Sequence, residues 1–113
     1  MSAKMAYVIK FVSNMDRAIR FYRDTLDLAL KFQSPEWSEF ATGDTVLALH
    51  PASTQNPAGS IQLGFHVEDP KDLHEKLLAL GVSMSREPQS EGGAQVSEYR
   101  DLDGAKFSVS SSH

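Results

Sequence analysis

The alternation of apolar and polar positions divides the chain into two passes of one plan. Tyr7–Val12 is a short apolar run interrupted by Lys10, and it predicts a strand. Asn14 follows as a helix N-cap, able to accept an amide hydrogen that the first turn leaves unpaired. Met15, Ala18, Ile19, Tyr22 and Leu26 then recur at the spacing of one helix face, with Arg17, Arg20, Arg23 and Asp24 on the other. The helix is expected to end near Asp27. Leu28–Gln33 alternates as a second strand, Ser34-Pro35 breaks it, and Trp37–Ala41 is a third. A Thr42-Gly43-Asp44 turn leads into a fourth strand, Thr45–His50.

Residues 51–60 contain two prolines, one glycine and no large apolar side chain, and read as a linker. The plan then returns. Ile61–Val67 predicts a strand, Asp69 an N-cap and Pro70 the first helical position, where a missing amide hydrogen costs nothing. Leu73, Leu77 and Leu80 form the helix stripe, and Gly81 suits the residue just past the helix end. Val82–Ser85 is a short strand and Pro88–Ala94 a loop. Gln95–Arg100 and Ala105–Ser110 are strands joined by the turn Asp101-Leu102-Asp103-Gly104, and Ser111–His113 is a frayed tail.

The two passes superimpose. Val12 corresponds to Val67 and Asn14 to Asp69, each 55 residues on, and Ser38-Glu39-Phe40 corresponds to Ser97-Glu98-Tyr99, 59 on. The expected fold is therefore α+β: two tandem βαβββ modules, each a curved mixed sheet with an outer helix, placed around a cleft. Module one spans 5–50, the linker 51–60 and module two 61–110. A ligand is expected in the cleft between them.

Composition narrows the function. The 113 residues suit one small domain, and the formal net charge of −4 comes with no basic run, so nothing marks a nucleic-acid partner. There is no cysteine, which removes thiolate metal sites and thiol nucleophiles. Met1–Met5 has no apolar core of a signal peptide, and no stretch reaches the length of a membrane span, so a cytoplasmic location without a membrane partner is the expectation.

The run Val12-Ser-Asn-Met-Asp-Arg-Ala-Ile-Arg-Phe-Tyr-Arg-Asp-Thr-Leu resembles the first signature of the vicinal oxygen chelate superfamily, which includes glyoxalase I, bleomycin and fosfomycin resistance proteins and extradiol dioxygenases. Asp69, Ala79-Leu80-Gly81 and Asp101-Leu102-Asp103-Gly104 resemble its second half. The resemblance spans roughly Tyr7 to Ser110. It departs at Asn14, where the family has Asp, and at Asp27, where it has Gly.

The resemblance also implies four metal-ligand positions, and these fall on Tyr7, Ala48, Gln62 and Ser108. None is His, Asp or Glu, the residues a borderline divalent ion requires. The expectation is no family-type metal site, no cofactor, and no glyoxalase I or extradiol dioxygenase chemistry. Strand alternation gathers Tyr7, Ile9 and Phe11, then Gln62, Gly64 and His66, then Val46, Ala48 and His50, then Lys106, Ser108 and Ser110 onto ligand-facing walls. Trp37 either stacks on a planar ligand or closes the core. Glu39 and Glu98 either meet a cationic ligand or face solvent. His74 is expected on the exposed side of its helix and His113 in the tail, outside any site.

Three readings remain at this point. One is a metal-independent protein that sequesters an aromatic or cationic compound, resembling bleomycin resistance proteins, through Tyr7, Phe11, Trp37, Ala48, His50, Gln62, His66, Glu98 and Ser108. The second is a lyase, isomerase or dioxygenase-like enzyme using Tyr7, His66 or Glu98, or an off-pattern metal held by His50 and His66. The third is a dimeric interaction module. Relatives of this length pair across two chains, which implies a homodimer.

Overall fold

The computed structural model describes residues 3–91 and 94–111. The chain divides into two compact units. Ala6–Ile61 form the first, and Gln62 onward, with the start of the first strand up to Met5, form the second.

The first unit, module one, contains strand β1 (Lys4–Val12) from Ala6 onward, helix α1 (Met15–Arg20), and strands β2 (Ala29–Phe32), β3 (Ser38–Ala41) and β4 (Val46–Pro51), ordered β2-β3-β4-β1 in its sheet. β1 and β4 run parallel, while β4–β3 and β3–β2 are antiparallel. Module two repeats this as β5 (Ile61–Val67), α2 (Pro70–Ala79), β6 (Met84–Glu91), β7 (Ala94–Arg100) and β8 (Lys106–Ser111), ordered β5-β8-β7-β6.

The repeat holds row for row across the strands. Ile9, Ala48 and Glu39 sit side by side on β1, β4 and β3. Gly64, Ser108 and Glu98 occupy the same row on β5, β8 and β7. The opposite face of each sheet takes the helix. In module one Val12, Ile19, Phe40 and Leu49 are buried there, with Met15, Ala18, Tyr22 and Leu28 packed against them. In module two Val67, Tyr99 and Val109 are buried, with Leu73 and Leu77 of α2 packed on them. Burying each large apolar side chain contributes about 1.5–3 kcal/mol, which is what fixes each helix to its sheet.

Local chemistry sets the helix ends. Asn14 Oδ1 accepts from the Arg17 amide at 3.0 Å, and Asp69 Oδ1 accepts from the Asp72 amide at 3.1 Å. α2 ends at Gly81, whose φ of +82° is the left-handed conformation that glycine adopts without strain. The corresponding stop in module one is Asp27, with φ +59°. From cap to stop, Asn14 to Asp27 is one residue longer than Asp69 to Gly81.

That surplus residue is absorbed by a π-helical turn, Phe21–Thr25, continuing α1. The Leu26 amide donates to the Phe21 carbonyl at 3.1 Å, five residues back. The wider turn rotates later side chains off the α-helical stripe. Leu26, expected on the buried face, is therefore half-exposed, and Leu28 packs in the core instead.

Other elements differ from expectation at their ends. β1 begins at Lys4, three residues earlier than the apolar run, and Trp37 precedes β3. Leu80 lies exposed rather than on the buried stripe, because α2 ends at Ala79 and Leu80 is its C-cap, already outside helical geometry. β6 extends through Pro88, which the expected loop had included. It is an outer strand of its sheet, where an unpaired amide position tolerates proline. Gly92 and Gly93 of that loop, and Ser112 and His113 of the tail, lie outside the described residues, while Ser111 belongs to β8. The segment 51–60 is tied to β1: Phe11 donates to the Ser60 carbonyl, and Gly59 and Ala52 donate to the Phe11 and Val12 carbonyls. Among the described residues no helix is long and apolar enough to cross a membrane.

Candidate functional site

The face of the module-one sheet turned away from α1 carries an aromatic cluster. Ile9, Phe11 and Ala48 are buried in it, and Tyr7, Trp37 and Ala52 pack around them half-buried. Tyr7 and Trp37 meet edge to face with ring centroids 5.8 Å apart. His50, exposed, stands edge-on to Phe11 at 5.4 Å and to Trp37 at 6.3 Å. These are the offset geometries that aromatic quadrupoles favour.

Trp37 is held in place at both ends. Its backbone amide and carbonyl both bond to the Ser34 hydroxyl, at 3.0 and 2.7 Å. Its indole Nε1–H donates to Glu39 Oε2 at 2.7 Å. Glu39 is thus neither free in solvent nor aimed at a ligand alone; it anchors the indole. Burial pushes the Tyr7 phenol above its ordinary pKa, and the Glu39 carboxylate adds to the rise by disfavouring a second negative charge. Tyr7 is therefore a protonated phenol at neutral pH.

The equivalent face of module two is less aromatic and more polar. Gln62 and Gly64 are buried, His66 and Ser108 half-buried. Glu98 lies beside Ser108 in the sheet, with Arg86 Nη1 3.9 Å from its carboxylate. Glu98, like Glu39, has a neighbour in its own module rather than facing solvent alone. The Asp101–Gly104 turn is built by its own side chain, since Asp101 Oδ1 accepts from the Asp103 and Ala105 amides at 2.9 Å each and Gly104 turns at φ +83°.

The structure thus brings Tyr7, Phe11, Trp37, Ala48 and His50 onto one face of module one, and Gln62, His66, Glu98 and Ser108 onto the equivalent face of module two. The implied metal-ligand positions do not fit a divalent ion. Tyr7 and Ala48 in one module, and Gln62 and Ser108 in the other, supply a phenol held neutral, a methyl group, an amide and a hydroxyl. Among the described residues no group of three or more His, Asp or Glu side chains gathers to replace them.

Two features escaped the sequence reading. His74 is not on the exposed side of α2. It is half-buried, and its Nδ1 lies 2.8 Å from the Tyr99 hydroxyl. Lys10, which seemed only to interrupt a strand, lies over the Tyr22 ring at 6.0 Å on the helix side of the sheet. Alternation along β1 separates Lys10 from Tyr7 and Phe11, and that was the available signal.

Comparison with known proteins agrees with this architecture. Among curated proteins compared by sequence, none matches. Among solved structures, one described as NAD-dependent benzaldehyde dehydrogenase from Legionella pneumophila has 18% identity and a TM-score of 0.78, over 95% of this chain and 98% of that one. Methylmalonyl-CoA epimerase from Mycobacterium tuberculosis has 17% identity and a TM-score of 0.79, over 96% and 87%. A glyoxalase/bleomycin resistance protein/dioxygenase superfamily member from Vibrio splendidus has 15% identity and a TM-score of 0.68, over 97% and 98%. At these identities the likeness is one of fold. Residues 4–109 also match the family model of that superfamily, nearly the full length of the chain. The chain therefore belongs to the Glyoxalase/Bleomycin resistance protein/Dioxygenase superfamily.

Proposed function

We propose that the protein binds a small aromatic or cationic compound without a metal ion, on the aromatic face of module one. The observation that supports this reading is the Trp37 indole, fixed by Glu39 at 2.7 Å and flanked by Tyr7 and His50. Ring faces and a carboxylate form a surface suited to a planar cation, through stacking, cation–π attraction and charge. Gln62, His66, Glu98 and Ser108 form the polar wall of the equivalent face in module two, and two chains pair as a homodimer. Titration of the single tryptophan with a panel of planar organic cations tests the reading. Saturable quenching that Glu39→Gln weakens is expected, and flat titrations across the panel overturn it.

A second reading has one observation in its favour. The Tyr7 phenol, kept protonated and set edge to face with Trp37 on this face, is suited to donate a hydrogen bond to a substrate oxygen in a lyase or isomerase, not to give up its proton outright. Turnover lost in Tyr7→Phe with ligand binding retained would favour it over sequestration.

A further inference from the structure

The helix side of module one holds an open groove of about 450 Å³ whose lining shares Phe11 alone with the aromatic face. It lies between β1, α1 and the segment carrying Ala58 and Gly59. Its walls are Lys10, Arg17, Ala18, Phe21, Tyr22 and Gly59. We propose that this groove is a second binding site, for a small anion carrying an aromatic ring.

The groove carries a charge opposite to that of the chain. The chain has a formal net charge of −4, yet this groove is lined by two cations and no carboxylate. Among the described residues no carboxylate pairs with the Lys10 ammonium or the Arg17 guanidinium. Lys10 instead rests over Tyr22, which leaves its charge available to an incoming anion.

The repeat sets these two cations apart. Module two presents Phe65 at the position of Lys10 and Asp72 at the position of Arg17. The fold is built there without either cation, so neither is needed to pack a helix on this sheet. Their presence in module one calls for another role.

Phe21 supplies the ring surface of the groove. It opens the π-helical turn, is 49% exposed, and packs edge-on against Tyr22 at 5.2 Å. A phenyl ring left half in water beside the Lys10 and Arg17 cations offers a stacking surface for a ring whose charge the cations hold. The volume is in the range of small-molecule sites.

The test is an NMR titration of the full chain with 2-naphthoate, and with neutral 2-naphthamide as control. Naphthoate is expected to shift the amides of Lys10, Arg17, Phe21 and Gly59 in a saturable way and to leave the Trp37 indole resonance in place. Lys10→Glu and Arg17→Glu should each weaken it about tenfold without weakening naphthamide. Lys10→Met and Arg17→Gln, milder changes at the same positions, should give the same order of effect if a reversal disturbs the fold by circular dichroism. Phe21→Ala should weaken both compounds. The proposal is overturned if naphthoate gives no saturable shift, if the charge changes leave its affinity unaltered, or if only the Trp37 resonance moves. The last outcome would leave the aromatic-face reading standing, whereas loss of that reading alone would leave these groove shifts intact.

Discussion

His74 and Tyr99 form a hydrogen-bonded pair, Nδ1 to hydroxyl at 2.8 Å, at the repeat positions that Ile19 and Phe40 occupy in module one. One module closes the contact between helix and sheet with two hydrocarbon side chains, and the other with two polar ones. Tyr99 is fully buried, so its hydroxyl requires the imidazole. Removing one partner, by His74→Ile or Tyr99→Phe, should destabilise the protein by about 1–2 kcal/mol. The double replacement recreates the module-one contact and should recover most of that loss. A double-mutant cycle by urea unfolding checks it, and additive losses would show that the pair is not coupled.

The Tyr7 phenol should titrate above free tyrosine in the absorbance of tyrosinate at alkaline pH. Because the folded state raises this pKa, the stabilising contribution is present below the unfolded pKa and is lost as pH rises through the folded one. Glu39→Gln should lower the Tyr7 pKa only in part, since burial is the larger cause. The same substitution keeps an acceptor for the indole but removes its charge, and a shift in Trp37 emission should accompany it. An unchanged Tyr7 titration in that variant would count against the electrostatic link.

Asp27 turns the chain at φ +59° where module two has glycine. Asp27→Gly should stabilise the protein by about 0.5–1 kcal/mol by relieving a left-handed conformation that is costly for a side chain. The reciprocal Gly81→Ala should destabilise by about 1 kcal/mol. Thermal melts of the two variants measure this, and equal melting temperatures would rule out strain at either stop.

Donor chemistry makes a metal prediction. Dialysed protein should carry well under one divalent ion per chain, and a chelator should leave its melting temperature unchanged, because an amide, a hydroxyl, a methyl and a neutral phenol bind such ions poorly. A stoichiometric ion lost on Gln62→Ala or Ser108→Ala would reverse this conclusion.

The parts of the fold that depend on adjacent residues could be read before any coordinates. Asn14, Asp69, Gly81 and Gly104 cap or turn the chain by local geometry, and each does so here. The two-fold plan was visible because Ser-Glu-Phe and Ser-Glu-Tyr fall in matching strands. What could not be read was pairing across elements. Glu39 looked like a solvent or ligand group until strand geometry placed it under the Trp37 indole. His74 looked exposed because a polar residue on a helix usually is; only Tyr99, from a distant strand, explains its position. The π-helical turn left a faint trace, the one-residue excess between cap and stop, which the apolar stripe alone concealed.

That excess has a wider meaning. A residue gained inside a helix would ordinarily swing everything after it by a hundred degrees and drag the following strands out of alignment. Here the distortion is confined to a single loosened coil, Phe21–Thr25, and the ladders on either side keep the same rungs in both halves. Two halves held to a common frame in this way can differ in length at one spot and present a different surface there, while the sheet beneath keeps its alignment.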